Sequence, residues 1–216
     1  MPTEFETGLP CIFIAKCEVS HRLPALISFL RIQQNTKTNT FPLRFAIVFR
    51  TDASVQFFAE LFQFGASKLG LQHQPTILEI NRAMQDAQRV KSCLLFKQEA
   101  KKESEEIRLL FFSEEYFNFV IQNLGNDGRG DDKLSKSDNG CIDQFIFFDS
   151  PSQPEIINDY INCMNPLAKS HPLKLLIFLT DFEEEFTTKT AISDIPRVAL
   201  SKKVVFDLTD KIQITI

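Results

Sequence analysis

Phosphate chemistry would need a glycine-rich turn whose amides cradle the phosphates, followed by Lys-Ser/Thr. The nearest string is GASKLG (65–70), but Leu71 and Gln72 follow it. It also closes a helical pattern instead of leaving a strand, so it carries no phosphate loop. No G-x-G-x-x-G occurs. Metal chemistry would need clustered ligands, yet His21, His73 and His171 lie far apart and form neither H-x-x-x-H nor H-E-x-x-H. No G-x-S-x-G elbow presents a serine nucleophile. The acidic run DFEEE (181–185) follows an apolar run and reads as a solvated helix start, where carboxylates favour the helix dipole. No cofactor and no metal site are expected.

The five cysteines, Cys11, Cys17, Cys93, Cys141 and Cys163, are odd in number and include no C-x-x-C. They read as reduced, mostly buried thiols of an intracellular protein, cytoplasmic or nuclear. The start, MPTEFETG, is acidic and has no signal-peptide pattern, and no apolar run reaches membrane-spanning length. The Arg-Gly-Asp within GRGDD (128–132) therefore reads as a solvated loop and not as an adhesion motif. A net charge of −4 gives no global attraction to nucleic acid. The 22 Phe residues against no Trp imply a large aromatic core or an apolar face awaiting a partner.

What must position any site is an alternation of apolar runs and helical spacings. The runs at 11–19, 44–49, 107–112, 144–149 and 173–179 have the continuous apolar character of strands buried on both faces. Helical spacing occupies 21–32, 52–70, 81–98, 114–125 and 151–165. This pattern predicts one α/β domain over 1–216, with a mostly parallel sheet and helices on both faces. The residues alone leave RecA-like and Rossmann-like arrangements open. The polar stretch 126–140 reads as a mobile surface loop. The alternating tail 202–216 predicts a hairpin or an added edge strand.

The order and spacing from about residue 11 to 185 resemble the second RecA-like domain of superfamily-2 helicases, particularly the DEAD-box branch. CIFIAKCEVSHRLPALISFLRI (11–32) is similar to the family's opening strand and K-x-x-x-L-x-x-L-L helix. AIVFRTDASVQFFAELFQFGASKLG (46–70) is similar to its next strand and helix, and LLFFSEEYFNFVIQN (109–123) matches the strand normally ending in T-D-x-x-A-R-G-x-D. FIFFDSP (145–151) matches V-I-x-Y-D-x-P. The family then has Y-x-H-R-x-G-R-x-x-R, whose arginines stabilise phosphoryl-transfer charge. Here Tyr160 leads instead to Asn162, Cys163 and Pro166, with Lys169 at the third basic place. Ser113-Glu114-Glu115 stands where T-D-x belongs.

The resemblance implies a degenerate, non-catalytic domain working with protein partners in a larger, RNA-related complex. Alternatives are ATP-independent single-stranded nucleic-acid binding, or completion of an ATPase in trans. By resemblance, Arg50, Thr51 and Lys169 are the candidates for weak contact with single-stranded RNA. Phe58, Phe62, Phe64 and Phe117, from the Phe-rich helices, are the candidates for partner contact. Phe57, Phe58, Phe62 and Phe64 cannot all share one narrow stripe, so one or two of them should reach the surface.

Overall fold

The computed structural model describes residues 11–35, 43–98, 106–125, 142, 144–152, 174–180, 182–183 and 202–207. Seven strands form one sheet: β1 (Cys11–Lys16), β2 (Leu43–Phe49), β3 (Thr76–Ile80), β4 (Ile107–Ser113), β5 (Gln144–Phe147), β6 (Lys174–Leu179) and β7 (Lys202–Asp207). Their order is β3-β4-β2-β5-β6-β1-β7, and every pairing is parallel. Four helices lie among the described residues: α1 (Arg22–Asn35), α2 (Asp52–Gly65), α3 (Asp86–Lys97) and α4 (Phe117–Gly125).

Strand order decides where the helices go. The steps from β1 to β2 and from β2 to β3 run in one direction across the sheet. Those from β3 to β4 and from β4 to β5 run the other way. Right-handed crossovers must then put α1 and α2 on one face and α3 and α4 on the other. The core divides accordingly. Leu26 and Leu30 of α1, with Val55, Phe58 and Phe62 of α2, pack on Phe45, Ile47, Phe49 and Phe111. Cys93 and Phe96 of α3, with Phe117, Val120 and Leu124 of α4, pack on Val48, Leu110, Phe112 and Phe147. Alternate residues of each central strand feed opposite clusters, so both faces are apolar and the strands read as continuous hydrophobic runs.

Phenylalanines supply much of the first cluster. Phe49 stacks on Phe58 with ring centroids 4.7 Å apart and meets Phe111 edge-on at 5.5 Å. Phe148 adds a third ring against Phe49 at 5.2 Å and Phe58 at 4.7 Å. Such offset and edge-on pairs add to the burial term.

Several expectations change. The strand β3 lies in TILEI (76–80), which carries no predicted element, and the helix expected from Asn81 begins at Asp86. Thr76 is exposed at this edge and Glu79 half-buried, so β3 lacks the apolar continuity of the central strands. Part of the tail becomes an edge strand: β7 runs parallel to β1 from Lys202 to Asp207. The segments 126–140, 153–173 and 208–216 lie outside the described residues. Chain reversal after α2 depends on Gly70, whose φ of 68° is one that L side chains rarely adopt. The Arg31 guanidinium caps this turn by donating from Nε to the Leu69 carbonyl at 2.9 Å.

Candidate functional site at the carboxyl edge of the sheet

In a parallel sheet all carboxyl ends face one way, so the loops that follow the strands collect along one edge. After β2 the chain leaves for α2 on one face. After the neighbouring β4 it leaves for α4 on the other. A crevice opens where adjacent connections part in this way, and open α/β sheets bind ligands there. Here it is a shallow surface dip without room for an enclosed water, lined by Arg50 after β2, Glu114 after β4, and Asp149, Ser150 and Pro151 after β5.

The polar groups along this edge are already matched to one another. The Arg50 amide donates to Asp149 Oδ2 at 3.0 Å. The Ser152 amide donates to Glu114 Oε1 at 2.7 Å. The Arg82 amide donates to Asp52 Oδ2 at 2.7 Å, and Ser113 Oγ donates to the other oxygen of Asp52 at 2.6 Å. The Thr180 amide donates to Glu183 Oε2 at 2.8 Å, while Thr180 Oγ1 accepts from the Glu183 amide at 3.2 Å. That reciprocal pair is a capping box. At Glu183 the expected helix start is present, but this carboxylate is ion-paired to Arg22 instead of solvated. Four loop amides that could have met phosphate oxygens thus each hold a carboxylate of the chain itself.

Charge follows the same logic. Arg22, 3% exposed at the start of α1, donates from Nη1 to Asp149 Oδ1 at 3.3 Å and from Nη2 to Glu183. One guanidinium therefore joins the first turn of α1 to the loops after β5 and β6. The flat fork of arginine suits two separate carboxylates as a lysine point charge does not. Cys17 lies beside this group. Burial raises its thiol pKa to about 11, with Arg22 opposing the shift.

Arg50 and Thr51 do sit at the carboxyl edge, but both have internal duties. Arg50 Nη2 donates to the Ser150 carbonyl at 2.6 Å. Thr51 caps α2, its hydroxyl accepting from the Ser54 amide at 3.2 Å. Asn162, Cys163, Pro166 and Lys169 lie outside the described residues. Three of the aromatic partner candidates are corrected. Phe58, Phe62 and Phe117 are 9%, 0% and 3% exposed and belong to the core, because their helical positions face the sheet. Phe64 is 77% exposed, and Phe57 joins it at 60%. Sequence reasoning placed Glu114 and Asp149 only in motif matches and Glu183 only in a helix start, and gave Arg22 and Asp52 no site role. Each of the four carboxylates falls within a few residues of the end of an apolar run, and that was the available signal.

Among the described residues no group of three or more His, Cys, Asp or Glu could hold a metal ion. None of the described helices is long and apolar enough to cross a membrane.

A structure of domain 2 of the DEAD-box helicase Mss116p, bound to an RNA duplex, superposes with a TM-score of 0.53 at 13% identity, covering 93% of this chain. The fold is RecA-like. The same likeness extends to the C-terminal part of the Fun30 ATPase domain, with a TM-score of 0.50, 12% identity and 84% coverage of this chain. It extends also to the E. coli DEAD-box protein SrmB bound to regulator of ribonuclease activity A, with a TM-score of 0.50, 12% identity and 91% coverage. The chain spans 65% of the Mss116p chain, 47% of the Fun30 chain and 89% of the SrmB chain. No protein-family model matches the chain, and no curated protein matches it. At these identities the likeness is one of fold.

Proposed function

We propose that this RecA-like chain is a non-catalytic, helicase-like domain that serves as a protein-interaction scaffold in a larger, RNA-related complex. The observation that carries the reading is the carboxylate set at the carboxyl edge. Phosphate binding needs donors aimed at an anion. Here an incoming phosphate must displace Asp149, Asp52, Glu114 or Glu183 from the amide each already holds. The sequence adds that Cys163 and Pro166 supply no permanent cation where the resembled motif has arginines, and Asn162 replaces its histidine. The exposed Phe57 and Phe64 give a partner protein something to bury. The RNA-related setting rests on the resemblance to DEAD-box domains.

The test is a titration of the purified chain into labelled single-stranded RNA at low salt, followed by fluorescence anisotropy, beside an ATP-turnover assay of the same preparation. The reading predicts no turnover and no anisotropy change up to high micromolar protein. Salt-sensitive binding weakened by Arg50→Ala or Lys169→Ala would instead make the chain a nucleic-acid clamp, because loss of a phosphate contact lowers affinity and reduces the salt slope.

A further inference from the structure

Helix α2 has two unlike faces. Val55, Phe58, Ala59 and Phe62 are buried against the sheet. On the opposite side Ala53, Phe57, Glu60 and Phe64 are all exposed. Their spacing is four, three and four residues, the spacing that keeps a seam facing a second helix. At 1.5 Å per residue the seam is about 16 Å long. The Phe57 ring meets Phe58 edge-on with centroids 5.3 Å apart, yet stays 60% exposed. Glu60 lies between the two exposed rings and has no ion-pair partner among the described residues.

We propose that this seam docks an amphipathic helix of a partner protein that carries apolar residues at matching positions and a lysine or arginine facing Glu60. The proposal rests on the scaffold reading above and names the partner's chemistry. Covering two Phe rings also covers the carboxylate between them. A desolvated carboxylate is costly unless a cation meets it. The partner must therefore bring that cation. A second copy of α2 cannot, because residues 52–65 contain no Lys or Arg. In helix-to-helix contact its seam would offer Glu60 either an apolar side chain or another Glu60.

The experiment is a selection from displayed helical peptides of three heptads, with leucine along the seam and all twenty residues at its central position. The whole chain is the bait. Lysine and arginine should be enriched at the centre. Glu60→Lys should weaken those peptides roughly thirtyfold or more, the order expected for breaking a covered charge pair, and should select aspartate and glutamate instead. The double variant Phe57→Ser/Phe64→Ser should lose all the selected peptides while keeping the wild-type melting temperature, since both rings are exposed. Four results would overturn the proposal: no enrichment, enrichment without charge preference, binders that persist on the double variant, or a wild-type dimer that the double variant dissolves. Binders that persist elsewhere would leave the scaffold reading standing. RNA binding or ATP turnover would remove that reading instead.

Discussion

Arg22 and Asp149, 127 residues apart in the chain, meet through a 3.3 Å ion pair that joins the first turn of α1 to the loop after β5. The arginine is almost fully buried and its two carboxylate partners are about one-quarter exposed. Removing it leaves two carboxylates facing each other with no cation between them. Arg22→Ala should therefore destabilise the fold by about 2–4 kcal/mol, below the full range for a wholly buried network because the carboxylates keep some water. Arg22→Lys should recover less than half of that, since one ammonium cannot fork between both partners. Urea denaturation of the three proteins measures it.

The two exposures on α2 give a sharper contrast. Phe62 is 0% exposed and meets Phe111 at 5.6 Å, whereas Phe64, two residues on, is 77% exposed. Phe62→Ala should cost about 3–5 kcal/mol through lost burial and the cavity left behind. Phe64→Ala should stay within about 0.5 kcal/mol of wild type. Equal effects in thermal denaturation would contradict the orientation assigned to α2.

Cys17 and Cys93 are both buried, and burial raises each thiol to about 11. Only the thiolate reacts, so at pH 8 both should resist aromatic disulfide reagents until the protein unfolds. The sign for stability follows. A thiol whose folded pKa exceeds its unfolded value leaves stability intact at neutral pH, and stability is lost as pH rises above about 8.5 toward 11. Single Cys→Ser variants assign the slow phase of thiol titration to each residue.

Glu106 behaves in the opposite sense. Its side chain accepts from Arg108 Nε at 2.9 Å and from Thr76 Oγ1 at 2.9 Å. The Arg108 bond is the main cause holding its carboxyl below the usual range, with burial opposing. Its contribution is therefore fully present above the unfolded value of about 4.3 and is lost as pH falls through the lower folded value. Glu106→Gln should be less stable than wild type at pH 7, and the gap should close toward pH 3. A gap that widens on acidification would show that Arg108 does not hold this carboxylate.

Much of the fold was legible because its central strands are covered on both faces. RFAIVF and IRLLFF are apolar at every position but the first arginine pair, and such runs have few alternatives to a buried parallel strand. Those arginines, Arg44 and Arg108, are paired in register and both reach the Gln98 carbonyl beyond the end of α3, a contact that no local spacing could reveal. The edge strand β3 was missed because an edge needs only alternate burial, and five residues of TILEI offer too short a period to read. At the site, the motif resemblance at 160–169 carries no information about the carboxylates. An acid after a strand is common at a helix start, so its second role at the carboxyl edge becomes visible only when distant loops are brought together. For the aromatics, spacing correctly required some of Phe57, Phe58, Phe62 and Phe64 to reach the surface, but assigning which ones needed the direction of the sheet.

The most direct test of the scaffold account is photo-crosslinking in cells that express the chain natively, with a benzophenone amino acid placed at position 64 in one variant and position 50 in another. The account predicts a discrete protein adduct from position 64 and no nucleic-acid adduct from position 50. RNA joined at position 50, with nothing captured at position 64, would contradict it.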